Sequence, residues 1–453
     1  MNWQRILHSV KDGPAKDISL GMGTAITVFV RVGSYGLVAI AGVVMARALG
    51  AHDRGIYSLV TTVALLFAAF SELGLSKAGI YLVGQKRFSL QSIISNNLAW
   101  WLTIGTIWIG GSLTLALVRP SFVPDELEMA HFLVFALGGA LLLFLVMAED
   151  LLLTTGSIIG YNVVRFVEPF MRAVLVIGGV TIFGLGIVGV LSMWLLAIAA
   201  SAIPAFYLLM KRARPVPRIQ TKALKSQLSF GLRSNFGFVL EAANHRLDVF
   251  LVAGIAGTAA LGHYAVAFGA AELLWRITFA LGAVFFPKVA ALDSEANAET
   301  AATTLRRALF IILLATLIIL PFGRLLIGGL YGEEFLPGVN AFYILAPSAL
   351  LYTVFRILNA SLAGMGRPES GIYAGVVSLP LTIGLSLLLI PRMGIVGAAI
   401  ASMAAYGAAA AVVLVMFLWV TRKSLMETLV INRDDITSSI QTARTLLARS
   451  EAT

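Results

Sequence analysis

The chain has 453 residues, 59% hydrophobic and only 12% charged, with a formal net charge of +10 and no cysteine. A soluble domain carries about twice that share of charge, so a water-soluble globule is excluded, and without thiols so are disulfides and thiolate metal sites. Five scattered histidines (His8, His52, His131, His245, His263) show no metal-ligand spacing, and no phosphate-binding glycine loop occurs, so neither a metal centre nor ATP hydrolysis by a P-loop is expected.

Residues 1–23 are polar, carry Arg5, Lys11 and Lys16, and lack the apolar stretch and cleavage site of a removable signal. From there apolar runs of bilayer-crossing length, about 20 residues each, predict twelve spans: 24–48, 56–83, 94–118, 130–154, 158–182, 187–210, 228–256, 260–286, 308–330, 336–363, 371–391 and 395–420. The expected fold is an all-α polytopic membrane protein. Its domains are a cytoplasmic segment 1–23, a lobe 24–210, a basic linker 211–227, a second lobe 228–420 and a tail 421–453. In the tail Leu425, Leu429, Ile436, Ile440, Ala443 and Leu447 recur at helical spacing, which suits a surface helix.

Lys and Arg split twenty to four between alternate sets of loops, a positive-inside signal that predicts both termini in the cytoplasm. The densest stretch, Lys211, Arg212, Arg214, Arg218, Lys222 and Lys225, lies in the linker, where anionic lipid headgroups are a better fit than nucleic acid. Loops on the other face are short and offer no room for an enzyme active site, so the chain is expected not to be an enzyme.

The two lobes echo each other. Gly50-Ala-His-Asp-Arg-Gly55-Ile-Tyr57 returns, in its glycines and tyrosine, as Gly257-Thr-Ala-Ala-Leu-Gly262-His-Tyr264, and Gly186-Ile-Val-Gly189 returns letter for letter as Gly394-Ile-Val-Gly397. With six spans per half the repeat is parallel rather than inverted, a pattern of secondary transporters.

Charges inside the spans are costly and usually face a bundle interior or a water-filled path. With Arg324, at the outer end of the ninth span, counted among the loops, nine are basic: Arg31, Arg47, Lys77, Arg165, Arg172, Arg233, Arg246, Arg276 and Arg356. Seven are acidic: Glu72, Glu149, Asp150, Glu168, Glu241, Asp248 and Glu272. Arg165, Glu168 and Arg172 share one helix face, where Glu168 can pair with either arginine, and Glu272 can pair with Arg276 at i+4. Glu241, His245 and Asp248 share a face of the seventh span, a candidate site for a coupling cation or proton. Arg31 has no acid within four positions of its own helix.

Met45-Ala-Arg-Ala-Leu-Gly50 with Gly55-Ile-Tyr57, Glu72-Leu-Gly-Leu75, Arg246-Leu-Asp248, Phe286-Pro287-Lys-Val-Ala290, Ala363-Gly-Met-Gly366-Arg-Pro368 and Ile390-Pro391 fall in an order and spacing that resembles polysaccharide-export proteins. The family is the Wzx-type flippases of lipid-linked oligosaccharides, within the multidrug/oligosaccharidyl-lipid/polysaccharide (MOP) exporter superfamily. The resemblance implies two six-helix lobes working by alternating access in the bacterial inner membrane. It implies movement of undecaprenyl-pyrophosphate-linked repeat units to the outer leaflet, for O-antigen or other surface polysaccharide, without a cofactor. A polymerase and a chain-length regulator are the implied partners. On this resemblance the first, second, seventh and eighth spans line the path. Arg31, Arg246, Arg276 and Lys77 become the candidates for the pyrophosphate, and Glu72, Glu241, Asp248 and Glu272 the candidate coupling acids. Arg165, Arg172 and Arg356 are secondary. A multidrug antiporter, a lipid II flippase and a membrane enzyme of the same pathway remain as alternatives.

Overall fold

The computed structural model describes residues 20–121, 123–212, 214–215, 218–290, 292–432 and 435. The polar segment 1–19 and Ile436, Ile440, Ala443 and Leu447 of the tail lie outside them. Every long element among the described residues is a helix. Among the described residues seven helices are apolar enough to cross a bilayer on hydropathy alone, and eight with one bent pair. The twelve expected spans are recovered on two further grounds. The apolar stretch Ile26–Gly84 holds two spans rather than one. The helices Ile158–Thr181, Thr221–Ala256 and Thr258–Ala290 are also long enough to cross, and they carry nine of the sixteen charges expected within the spans.

Within the first unit, Met1–Ala242, helix α1 runs Leu20–Ser71 but turns at Gly50, whose φ of 75° and ψ of 179° suit only glycine. The second span was expected to be continuous over 56–83. It is instead broken at Leu73 (φ 50°) and Gly74 (φ 72°) and resumes as α2, Leu75–Gly84. There follow α3 (Leu90–Val118), α4 (Met129–Thr154), α5 (Ile158–Thr181) and α6 (Ile187–Arg212). Helix α4 is the hub, packed on α1, α2, α3, α5 and α6. Small residues make this possible: a Cβ on Gly138 would sit 2.7 Å from the Trp194 ring, and one on Gly139 2.6 Å from Trp108. Ala68, Leu75, Leu143 and Met147 form the core beneath.

Helix α7, Thr221–Ala256, starts seven residues before the expected span, so Lys222 and Lys225 stand on a helix instead of in the linker. The cause is local: Ala223 and Gln227 are fully buried, and Asn96 accepts from the Gln220 backbone N–H at 2.9 Å while donating to Gln227 at 3.2 Å.

The second unit, Ala243–Thr453, continues α7 and adds α8 (Thr258–Ala290) and α9 (Ser294–Ile319). Short turns, including α10 (Gly323–Leu326), lead to α11 (Val339–Leu345), α12 (Ser348–Gly364), α13 (Glu369–Met393), α14 (Ile395–Thr421) and α15 (Leu425–Leu429). Residues 333–345 and α12 bend by 46° at Pro347. This pair takes the place that α4 holds in the first unit, packing on α8, α9 and α14. Gly257, the repeat partner of Gly50, also has positive φ (87°), so the duplicated glycines do the same work at the same turn. Beyond α14 the chain folds back on α9: Arg306 pairs with the buried Asp435 at 2.6 Å.

Candidate functional site

In the first unit the break in the second span fixes Glu72. Its buried carboxylate accepts from the backbone N–H of Gly74 (2.7 Å) and of Ser76 (2.8 Å), capping the new helix. The Ser76 hydroxyl lies 2.5 Å from Glu72 and 2.9 Å from Asp150, and its single proton can serve only one of them. Glu72 is thus committed to its own backbone. Lys77 donates to Asn235 Oδ1 at 2.9 Å and lies 4.2 Å from the Phe238 ring centroid, both on α7.

Arg165 reaches across to α4 rather than along its own helix. It meets Glu149 at 3.0 Å and donates to the Tyr161 hydroxyl at 2.8 Å. Glu168 is left to Arg172, one helical turn away, at 3.2 Å. Arg31 on α1 is half-buried. Its Nε has no hydrogen-bond partner among the described residues. Glu149 has Arg165 at ion-pair distance.

In the second unit a carboxylate is shared between two arginines. Glu272 on α8 lies 3.5 Å from Arg276 and 3.9 Å from Arg246, one carboxylate shared by two guanidiniums. Arg246 also lies over Phe268 (5.4 Å) and Arg356 over Phe279 (4.9 Å), contacts that orient their guanidinium planes.

Glu241, His245 and Asp248 do not converge. Asp248, 1% exposed, accepts from the Tyr264 hydroxyl at 2.6 Å and the Val249 N–H at 2.8 Å, with Ser402 at 3.5 Å. His245 is enclosed by the rings of Trp275, Tyr352 and Tyr406 at 5.0–5.4 Å. Glu241 is half-buried one turn earlier. Among the described residues no three His, Asp or Glu side chains are placed to hold a metal ion.

Ser402, Phe268 and Phe279 were not singled out by sequence, and Tyr264 was read only as a landmark of the repeat. A signal existed for two of them. Asp248 and Tyr264, and likewise Arg246 and Phe268, are spaced almost evenly about Gly257, as facing residues of a helical hairpin must be.

Among proteins of known kind, the chain is 29% identical over 145 residues to a probable low-salt glycan biosynthesis flippase of Haloferax volcanii, covering 30% of this chain and 31% of that protein. It is 25% identical over 194 residues to an uncharacterized membrane protein of Methanocaldococcus jannaschii, covering 41% and 38%. The chain thus spans about a third of the length of these relatives. The lipid II flippase MurJ in an inward closed conformation has the same fold, with a TM-score of 0.74 at 11% identity over 93% of each chain. So has an inward-facing multidrug resistance MATE transporter of the MOP superfamily, with 0.66 at 17% over 86% of this chain and 97% of that one. Residues 44–340, well over half of the chain, match the sequence profile of one family, and the chain belongs to it: the polysaccharide biosynthesis proteins, here with the helical fold of MOP-superfamily transporters.

Proposed function

We propose that this flippase of polysaccharide biosynthesis carries undecaprenyl-pyrophosphate-linked oligosaccharide repeat units from the cytoplasmic to the outer leaflet by alternating access. It works in the bacterial inner membrane with both termini in the cytoplasm. The observation that carries the proposal lies in the second unit, where two arginines, Arg246 and Arg276, share the single carboxylate of Glu272, with Arg31 and Arg165 as the corresponding cations of the first unit. A pyrophosphate supplies the missing negative charge and offers oxygens that guanidinium forks bind in pairs. Lys77, Arg172 and Arg356 are further cations along the path. Asp248, held by hydroxyls rather than by a cation, is the best placed acid for a coupling proton or ion, with Glu241 next.

A multidrug antiporter shares this fold. The stretch 20–49 favours the flippase, since it carries Arg31 and Arg47 and no acidic residue that could bind a coupling ion. The family resemblance supports a polymerase and a chain-length regulator as pathway partners.

The test is a deletion strain complemented with wild type, Arg31→Ala, Arg246→Ala or Arg276→Ala. Loss of surface glycan with accumulated lipid-linked repeat units, rescued by wild type and not by the expressed arginine variants, is the expected outcome. Intact glycan in the deletion refutes the function. Full rescue by all three variants refutes the site.

A further inference from the structure

The chain after the last span does not simply leave the membrane. Helix α14 holds 27 residues, about 40 Å, against a hydrocarbon core of about 30 Å, so its end stands about 10 Å beyond the apolar boundary. Arg422 then takes a left-handed φ of 58°, and the chain turns onto α9. From there its contacts follow α9 in one direction. Lys423 meets Glu299 at 2.5 Å, the Glu427 carbonyl accepts from Arg306, and Asp435 meets Arg306 at 2.6 Å and Arg307 at 3.7 Å. Arg306 lies seven residues after Glu299, about 10 Å of helix rise. The segment 422–435 thus descends by the distance that α14 overshoots.

The level it reaches is marked on both helices. Residues 308–319 of α9 carry no charge, whereas Arg306 and Arg307 close the polar part of that helix, so they stand at the apolar boundary. Arg307, 44% exposed, heads a row that continues at helical spacing through Ile311, Leu314 and Ile318, exposed large apolar side chains that face lipid. On α14 the exposed Trp419, with Arg367 5.5 Å from its ring centroid, is an aromatic anchor of the kind that sits at headgroup depth.

The two sides of the segment differ. Thr428 and Asp435, 0% and 2% exposed, are turned inward, where α15 packs on α9. Leu425, Met426 and Val430 are 55%, 70% and 53% exposed, with the exposed Arg422 beside them. Water gives three large apolar side chains no reason to stand out together. The headgroup layer does: it is about 5–7 Å thick on each side, and an apolar face can enter the acyl boundary while arginines stay among the phosphates.

We propose that segment 422–435 is an interfacial strap, lying in the headgroup layer with Leu425, Met426 and Val430 inserted among phospholipids and Arg422 and Arg307 on their phosphates. Its inner side is fastened to α9 by Asp435, and the buried Arg306–Asp435 pair sets the depth. On the orientation proposed above the layer belongs to the cytoplasmic leaflet. The strap does not depend on what the protein carries. Phospholipid, rather than a second copy or a soluble protein, covers the apolar face because Arg306, Arg307 and Trp419 put that face at headgroup level.

The chain has no cysteine, so one introduced thiol is the sole reporter. Met426→Cys, Glu295→Cys and Ile318→Cys, all at exposed positions, are each labelled with a nitrobenzoxadiazole dye and reconstituted into phosphatidylethanolamine–phosphatidylglycerol vesicles. Glu295, in the first turn of α9, reports water, and Ile318 reports the lipid-facing span. The label at 426 is expected to be quenched by a phospholipid with a nitroxide near its headgroup at least as strongly as the label at 318. Iodide should quench it several-fold less than the label at 295. Asp435→Asn, added to Met426→Cys, should raise iodide quenching several-fold as the strap lifts. Iodide quenching equal to that at 295, without nitroxide quenching, puts the strap in water and overturns the proposal. Shielding from both quenchers puts protein on the apolar face, a second copy or another chain, and overturns it as well. Unchanged quenching in Asp435→Asn removes the fastening from the proposal. Val430→Cys repeats the reading at a second exposed position, so the result does not hang on a dye that disturbs position 426.

Discussion

Replacing Glu272 by Gln separates stability from anion binding. The carboxylate lies 3.5 Å from Arg276 and 3.9 Å from Arg246, with all three side chains 20–30% exposed. At an effective dielectric of about 20, each pair is worth about 4–5 kcal/mol of bare Coulomb attraction. Desolvation and partial exposure reduce the net value of each to about 1 kcal/mol. Gln keeps the shape and one hydrogen bond but leaves two guanidiniums facing each other. The variant should therefore lose about 2–3 kcal/mol of stability, counting the new repulsion between the arginines. Its affinity for a polyanion should move the opposite way, since Glu272 no longer competes for the same forks, and each 1.4 kcal/mol released is about tenfold in binding. The assay is thermal unfolding of the detergent-purified protein with and without inorganic pyrophosphate, at low and high salt. Wild type is expected to be more stable without ligand, and Glu272→Gln to gain more from pyrophosphate, with the difference fading at about 0.5 M salt. Equal protection of both proteins would refute the argument that these arginines form an anion site.

Glu72→Ala removes the cap of α2 and orphans two backbone N–H groups, a loss of about 2–3 kcal/mol; hydrogen exchange at Gly74–Ala78 should speed up, and unchanged protection would argue against the capping role. Asp248→Asn keeps an acceptor for Tyr264 and removes a buried charge, so stability should hold within about 1 kcal/mol while dependence of transport on a proton or sodium gradient disappears; a persisting dependence places coupling elsewhere. At the chain's surface, Lys423 beside Glu299, through a hydrogen bond and its charge, lowers the carboxyl below its ordinary value of 4.5. A depressed carboxylate stabilises above that value and stops doing so as pH falls through the folded one, so Lys423→Ala should flatten the acid limb of the stability curve below about pH 5, by no more than about 1 kcal/mol for so exposed a pair. Thermal unfolding from pH 3 to 7 checks this.

Much of the fold was written in the sequence because a bilayer imposes one-dimensional rules: length, hydropathy and loop charge. The doubled Gly50 and Gly257 were legible for the same reason, each being the one residue type that suits its turn. Charge pairs along a helix were legible too, and Glu168 with Arg172 and Glu272 with Arg276 are found at i+4. Pairs between helices were not. Arg165 meets Glu149 rather than Glu168 because α4 and α5 pack in a register that no periodicity encodes. Glu72 read as a buried acid available to a ligand, since nothing in Glu-Leu-Gly announces that Leu73 takes positive φ and turns the carboxylate back onto its own backbone. What pairing leaves over then decides the chemistry. Sequence counts gave nine bases to seven acids within the spans, almost neutral. Geometry withdraws Glu72 to a helix cap and encloses Asp248 among hydroxyls, and in the second unit it leaves the single carboxylate of Glu272 facing a pair of arginines. A path for cationic drugs would need that ratio reversed. On the proposed function, a doubly charged phosphate ester is the kind of cargo that would complete it.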